Sequence, residues 1–470
     1  MKYRAEIDGL RALAVLPVIL FHAGFEWFSG GFVGVDVFFV ISGYLITTII
    51  ITEMVEGKFS IVNFYERRAR RILPALFFVM LACLPFAWLW LNPNDLRDFG
   101  ISLFAVSIFS SNILFFMEGG YFGTAAELTP LLHTWSLAIE EQYYILFPIF
   151  LMLTWRLGIK WILILLSIAF FASLGYAQLR VYNYPSATFF LLGTRGWELL
   201  VGVFAAFYLK FNTHLKSHFV NQSLSLLGFG MIVYSIVEFD ETTPFPSLYA
   251  LVPTIGTGLL ILCAVPKTFI HKLLSRKFIV GMGLISYSAY LWHQPLLAFA
   301  RHRIFGELSE LILIALCLAS LVMAWFSWRY VERPFRNGDQ IDRRSIFIFS
   351  GCLPIIFITL GLFIDHKSGF SERFPSELQP YLTMYYEGIT ALNFECHLGN
   401  DEYILKNCVF GAQSISPDFA LIGDSHAGSI HHQMAPVFSE LNKSFLLYAK
   451  NGCPPSLGIE GTIHHQRNCP

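Results

Sequence analysis

The sequence predicts an α-helical polytopic membrane bundle of about ten spans plus one linking span, followed by a partial α/β domain. Three observations carry this. Charged residues make up 14% of the 470-residue chain, against ~25% in a soluble domain. Apolar residues reach 55%, and phenylalanine alone fills 47 positions. The apolar residues form long blocks as far as residue 364, and the chain turns polar at Asp365-His366-Lys367-Ser368-Gly369. A disordered chain needs low hydrophobicity and high net charge, so it is excluded. An ordinary soluble enzyme is disfavoured. The 32 Lys and Arg against 33 Asp and Glu give a net charge of −1. That leaves no basic footprint for nucleic acid.

A spanning helix takes ~20 mostly apolar residues. Blocks at 9–28, 33–52, 72–91, 136–154, 161–179, 188–208, 223–238, 249–265, 279–299, 306–328 and 345–364 read as spans. A further block, 99–117, carries Ser102, Ser107, Ser110, Ser111 and Asn112. It reads as re-entrant, or as a membrane-depth segment covered by protein. Short cytoplasmic loops are rich in Lys and Arg. Lys2 and Arg4, the run from Lys58 to Arg71, and later pairs such as Arg156 with Lys160 place the N-terminus inside. Eleven crossings then leave the segment after 364 outside. Met1 to Asp8 runs into the first span without a small-residue cleavage site, so a retained helix is expected and not a cleaved leader. The predicted division is 1–340 membrane domain, 341–375 linking helix and linker, and 376–470 outer domain.

Ionisable groups at membrane depth are expensive and mark functional sites by default. His22 lies in the first predicted span. Arg11 precedes it by eleven residues, about 16 Å along a helix, on the same face. His22 reads as a hydrogen-bonded packing residue or as a general base. Asp36 and Ser42 sit in an apolar run, and a buried Asp36 needs a partner. The cluster Arg67-Arg68-Ala69-Arg70-Arg71 reads as a topology and lipid signal or as a phosphate clamp, since arginine meets phosphate bidentately. Glu140 and Glu141 stand at the start of a span near His133, more acid than an interfacial anchor needs. Arg195 and Glu198 are spaced to pair on one helix. His293 adds a histidine in a later span.

In the outer part, Pro417 to Ile422 reads as a strand, Gly423-Asp424-Ser425-His426 as a tight elbow, and Ala427 to Glu440 as a helix. Such an elbow presents a serine at a helix N-terminus, where backbone N–H groups form an oxyanion site. A nucleophilic serine also needs a base and an orienting acid. No Asp follows Asp424 among the 45 residues after Ser425, which do include His431, His432, His464 and His465. The chain is therefore expected to stop inside this domain. Cys83, Cys263, Cys317 and Cys352 lie in apolar blocks as small hydrophobes. Cys396, Cys408, Cys453 and Cys469 lie outside, where an oxidising compartment permits disulfides; Cys396 with Cys408 is the nearer pair. No spacing suggests zinc, and no metal is expected.

Taken in order, several strings resemble the acyltransferase-3 family of integral membrane acyltransferases, its O-antigen O-acetyltransferases in particular. They are Arg11 with His22, Phe38-Phe39-x-x-Ser42-Gly43, Arg68-x-x-Arg71-Ile72-x-Pro74, and Trp135-Ser136-Leu137 leading into Glu140-Glu141-Gln142. Ser286-Tyr287-Ser288-x-Tyr290-x-x-His293-Gln294-Pro295 and Val331-Glu332-Arg333-Pro334 complete the set, which covers 1–340. The resemblance implies transfer of an acyl group, usually acetyl, from cytoplasmic acetyl-coenzyme A to an extracytoplasmic glycan hydroxyl. It implies His22 as catalytic histidine with Arg11 as its partner, and Arg68 and Arg71 as the arginine pair on the coenzyme A side. It places the chain in a bacterial inner membrane, with a cytoplasmic N-terminus and a periplasmic C-terminal domain. The outer elbow resembles the first block of the SGNH (GDSL-like) family, with Ser425 as nucleophile. The expected partners are acyl-coenzyme A as donor, membrane lipid, and a cell-envelope or lipid-linked glycan as acceptor, lipopolysaccharide O-antigen first. Peptidoglycan or exopolysaccharide O-acetylation, or glycan transport without chemistry, are the alternatives. Transporters show internal repeats, and none is visible between the two halves.

Overall fold

The structure, a computed structural model, describes residues 3–118, 124–212, 217–304, 306, 308–338, 340–375, 409–412, 417–423 and 425–449. The chain divides into two compact units, one of residues 1–91 with 95–369 and the other of 92–94 with 370–470.

The first unit is helical. Its elements are α1 (Ala5–His22), α2 (Gly34–Val55), α3 (Ile61–Trp90), α4 (Pro93–Ser107), α5 (Ser111–Met117), α6 (Thr124–Leu128), α7 (Thr134–Thr154), α8 (Ile159–Arg180) and α9 (Pro185–Phe190). There follow α10 (Leu192–Phe211), α11 (His218–Glu238), α12 (Leu251–Cys263), α13 (Phe269–Leu274), α14 (Lys277–Leu284), α15 (Ser286–Arg303), α16 (Glu310–Ser327), α17 (Arg333–Arg336) and α18 (Arg343–His366). Among the described residues, eight helical segments are long and apolar enough to cross a membrane.

The predicted blocks all carry helix, but four differ from uniform spans. The first begins at Ala5 and ends at His22, so it includes Glu6 and Asp8 and sets His22 at its end. The block 249–265 holds the 13-residue α12, about 20 Å long and short of a ~30 Å hydrocarbon core. The block 279–299 is interrupted at Ile285, between α14 and α15. The serine-bearing block 99–117 splits into α4 and α5, with Phe109 between them at φ 54°. Several of its polar groups bond within protein: Ser107 donates to the Leu103 carbonyl, and Asn112 donates to the Phe190 carbonyl and accepts from Gln142, whereas Ser111 Oγ is buried without a partner among the described residues.

Small residues let apolar helices approach closely. A Cβ on Gly43 would lie 2.0 Å from the Leu199 carbonyl oxygen, and one on Gly202 would lie 2.0 Å from that of Val40. α2 and α10 therefore meet backbone to backbone. This contact holds the partner that Asp36 requires. Arg195 Nη1 lies 2.9 Å from Asp36 Oδ1 and 3.0 Å from Glu198 Oε1, with all three side chains buried. The guanidinium also lies over Phe189 at 4.6 Å and over Trp135 at 5.3 Å. Beyond α16, the turn Trp328–Glu332 is π-helical. It turns Glu332 into the interior, where the carboxylate accepts from Ser288 and pairs with Arg336.

The second unit contains β1 (Val409–Gly411), β2 (Phe419–Gly423), α19 (Ser425–Glu440) and β3 (Ser444–Ala449). The sheet order is β1-β3-β2, with β2 parallel and β1 antiparallel to β3. α19 is thus the crossover of a βαβ unit, as two parallel neighbours require. Phe445 and Leu447 of β3 are buried. The helix starts at Ser425, two residues before the predicted start.

Among the described cysteines, Cys83, Cys263, Cys317 and Cys352 are free thiols; the first three are buried and Cys352 is exposed. Cys396, Cys408, Cys453 and Cys469, the pairing expected of the first two, and His464 and His465 all lie outside the described residues.

Candidate active site

The helical unit encloses a cavity of about 150 Å³. α1 contributes Arg11 to its wall, α2 Ser42, α3 Arg68 and Arg71, α7 Glu140 and Tyr144, and α15 Tyr287 and Tyr290. Phe38, Ile46 and Ile72 supply apolar surface between them. Five sequence regions separated by up to 279 residues thus meet in one space.

The basic cluster on α3 divides by helix face. At about 100° per residue, Arg70 stands about 160° around the helix from Arg68, whereas Arg68 and Arg71 are about 60° apart. Arg70 pairs with Glu66 at 2.9 Å and donates to the carbonyls of Phe335 and Ile341. Arg67 pairs with Glu53 at 2.9 Å. These two arginines serve the packing of the helix ends. Arg68 and Arg71 line the cavity, and neither forms a hydrogen bond or ion pair with another described residue. The Arg68 guanidinium lies over Phe64, 5.9 Å from the ring centre. Arg11 reaches Asp8 at 3.5 Å. The result is a pocket with an excess of cationic donors, suited to an anionic or strongly polarised ligand group.

The two predicted glutamates separate. Glu140 faces the cavity, where one carboxylate oxygen accepts from Ser42 at 2.9 Å and the other from Tyr144 at 2.8 Å. Glu141 is not part of the wall. Its Oε1 is buried without a hydrogen-bond partner among the described residues. Adjacent helical residues point about 100° apart, and here the turn carries Glu141 away from the wall that Glu140 joins.

His22 is not in the lining either. It ends α1, and its carbonyl accepts from Arg301 at 2.7 Å, an arginine that also pairs with Glu127 at 3.2 Å. The ring joins a histidine cluster. His22 Nδ1 lies 3.0 Å from the Val18 carbonyl and 3.1 Å from His293 Nε2. His293 Nδ1 lies 2.6 Å from the Tyr290 carbonyl. His133 is buried against the rings of Tyr290 and His293, with centroids 5.4 Å from each. The hydroxyl of Tyr290, a cavity residue, donates to the His133 carbonyl at 2.8 Å and lies 2.7 Å from Ser136 Oγ. A polar path therefore leads from the cavity wall through Tyr290 and His293 to His22. No group of three or more His, Cys, Asp or Glu among the described residues is arranged to hold a metal ion.

The structure brings Arg11, Arg68, Arg71 and Glu140, four separately predicted candidates, around one cavity, together with Tyr287, Tyr290 and Tyr144, which the sequence reading had not singled out as site residues. The spacing of Tyr287, Tyr290 and His293 at intervals of three was the available signal, since residues three apart share a helix face. In the second unit, Ser425 occupies the first position of α19, two positions after Gly423, the last residue of β2. His431, on the same helix, is buried and packs its ring on Phe410 at 4.5 Å.

Comparison with known proteins gives two family matches. An acyltransferase domain matches residues 4–329. An SGNH domain of the kind fused to AT3 domains matches residues 395–470. The chain is 33% identical over 359 residues to the peptidoglycan O-acetyltransferase OatA of Listeria monocytogenes, which covers 73% of this chain and 57% of that protein. It is 31% identical over 348 residues to the O-acetyltransferase OatA of Staphylococcus aureus, covering 72% and 58%. The chain thus spans under two thirds of the length of these curated relatives. No solved structure matches.

Proposed function

The chain belongs to the acyltransferase-3 family, and on that premise we propose that it moves an acyl group, acetyl in the first instance, from acyl-coenzyme A to a hydroxyl of a cell-envelope glycan. One observation carries the reading: Arg68 and Arg71 line a cavity without a hydrogen-bond or ion-pair partner among the described residues, beside Arg11 and Glu140. Three arginines against the one glutamate of the wall leave a cationic excess that a ligand would balance. A coenzyme A phosphate or the polarised thioester carbonyl supplies that balance. The cavity, at about 150 Å³, falls below the ~300–1,000 Å³ of pockets that enclose a whole small ligand. It suits the reactive end of the donor, with the nucleotide outside.

In the transfer step, the attacking hydroxyl oxygen bonds to the thioester carbonyl carbon and its proton passes to His22. The carbon–sulfur bond breaks and the coenzyme leaves as a thiol once reprotonated. Arginine donors stabilise the oxyanion between these events. The N-terminus is proposed to be cytoplasmic in a bacterial inner membrane and the SGNH-like unit periplasmic, on the Lys and Arg content of the short connections in the sequence. In that unit Ser425 is proposed as a second acyl station.

The acceptor expected first is lipopolysaccharide O-antigen. The Listeria relative, named for peptidoglycan, favours peptidoglycan as the second reading. The test compares a null strain carrying the chain, the His22→Ala variant or an empty vector, with ester-linked acetyl measured separately on lipopolysaccharide and peptidoglycan. The wild type is expected to add ester to one fraction and the variant to neither. Equal ester from both chains overturns the role of His22. Ester from neither chain overturns the enzyme reading for these glycans.

A further inference from the structure

We propose that His293 is a positioning residue that fixes the proton of His22 on Nδ1 and so makes Nε2 the basic nitrogen. This rests on the reading of His22 as the base. The argument starts from donors and acceptors. A backbone carbonyl only accepts. The His293 Nδ1 lies 2.6 Å from the Tyr290 carbonyl, so Nδ1 carries a proton and donates. A neutral imidazole then holds its lone pair on the other nitrogen. That nitrogen, Nε2, lies 3.1 Å from His22 Nδ1. A lone pair there requires a proton on His22 Nδ1. The Val18 carbonyl, 3.0 Å from His22 Nδ1, is a second acceptor for the same proton. Both neighbours are acceptors, and a shared Nδ1–H satisfies both. The tautomer is assigned here from the hydrogen-bond network.

The alternatives fail on the same contacts. A proton on His293 Nε2 alone turns a lone pair of Nδ1 toward the Tyr290 carbonyl at 2.6 Å. A doubly protonated His293 donates to His22 Nδ1, whose other neighbour is then a carbonyl lone pair. Among the described residues, the titratable and charged groups facing the pair are the His133 ring, 5.4 Å from His293 between centroids, and Arg301, bonded to the His22 carbonyl and paired with Glu127. The logic parallels that of an acceptor that holds a catalytic imidazole in one tautomer, with a neutral histidine as the acceptor.

Ring-nitrogen NMR of the histidine-labelled full chain in lipid discs tests the assignment without turnover. The expected spectrum gives His22 a protonated Nδ1 and an unprotonated Nε2, and in His293→Ala, with one of the two acceptors gone and the Val18 carbonyl left, the share protonated on Nε2 rises. A His22 signal protonated on Nε2 in the wild type overturns the proposal even if the chain proves to be an acyltransferase. Kinetics provide the second readout. His293→Ala is expected to lower kcat roughly tenfold to a hundredfold, less than the ~10²–10⁴ supplied by a general base itself. KM for the acyl donor stays within about twofold, because Arg68 and Arg71 are untouched. His293→Gln, whose carbonyl oxygen restores an acceptor, recovers most of kcat. An unchanged kcat in His293→Ala, or equal losses in Ala and Gln with a matching rise in KM, also overturns the positioning role. A wild type without turnover but with the expected tautomer sinks the function reading and leaves this one standing.

Discussion

Arg68 and Arg71 are the residues at which the proposed chemistry meets its cheapest test, because Arg67 on the same helix provides a control. A hydrogen bond to a charged group contributes about 1.5–3 kcal/mol. Arg68→Ala and Arg71→Ala are each expected to raise KM for the acyl donor by about tenfold to a hundredfold, at ~1.4 kcal/mol per decade. Arg67 pairs with Glu53 at a partly exposed surface, where an ion pair is worth ~0–1 kcal/mol. Arg67→Ala is expected to leave the kinetics unchanged. Initial rates against donor concentration distinguish the three, and equal effects from all of them would reduce the cluster to a membrane-surface charge. The sequence held the clue to this division. A period of 3.6 separates Arg68 from Arg70, but no local pattern says which face meets a cavity. That depends on α7 and α15, whose contact with α3 is set by packing far along the chain.

At the scale of elements, the α2–α10 contact is a stack of close backbones with one charge cluster inside it. Asp36 lies 159 residues from Arg195, and the pairing of a single buried acid over such a distance is invisible to periodicity. What the sequence did carry was the need for a partner, and the i, i+3 spacing of Arg195 and Glu198. Removing one member of a buried ion pair costs about 3–5 kcal/mol, since it leaves charge uncompensated. Arg195→Leu leaves both Asp36 and Glu198 buried without their cation. It is expected to lower the thermal unfolding midpoint of the purified protein sharply. Adding Asp36→Asn and Glu198→Gln removes the stranded charges, and the triple variant is expected to recover most of the loss. A triple variant no better than Arg195→Leu alone would assign the effect to the lost stacking on Phe189 and Trp135. The helix interruptions show the limit of apolar block counting in another way. α12 is too short for a full crossing and α14 yields to α15 at Ile285. Hydropathy averages over a window and does not register where the backbone changes direction.

For the whole molecule, the question is whether the two units run one reaction or two. The strand–elbow–helix was legible because turn residues and the change from period 2 to period 3.6 coincide within a few positions of Ser425. Its catalytic partners were not, since the serine's base and acid come from distant segments in any such site. If the acyl group passes through both units, the half-reactions separate. Cleavage of the thioester belongs to the helical unit and needs His22. Formation of the glycan ester needs Ser425 as well. Ser425→Ala is therefore expected to keep a first-turnover release of coenzyme A thiol, its acyl group passing to a water or another hydroxyl at the helical unit, while losing glycan ester. His22→Ala is expected to lose both. Thiol release followed by a colorimetric reagent in rapid mixing, with ester measured on the same sample, reads the two steps side by side. Full glycan ester from Ser425→Ala would make the outer serine idle and the helical unit a complete transferase. Loss of the first-turnover thiol in that variant would mean that donor cleavage waits on the outer unit, and the relay order proposed here would be wrong.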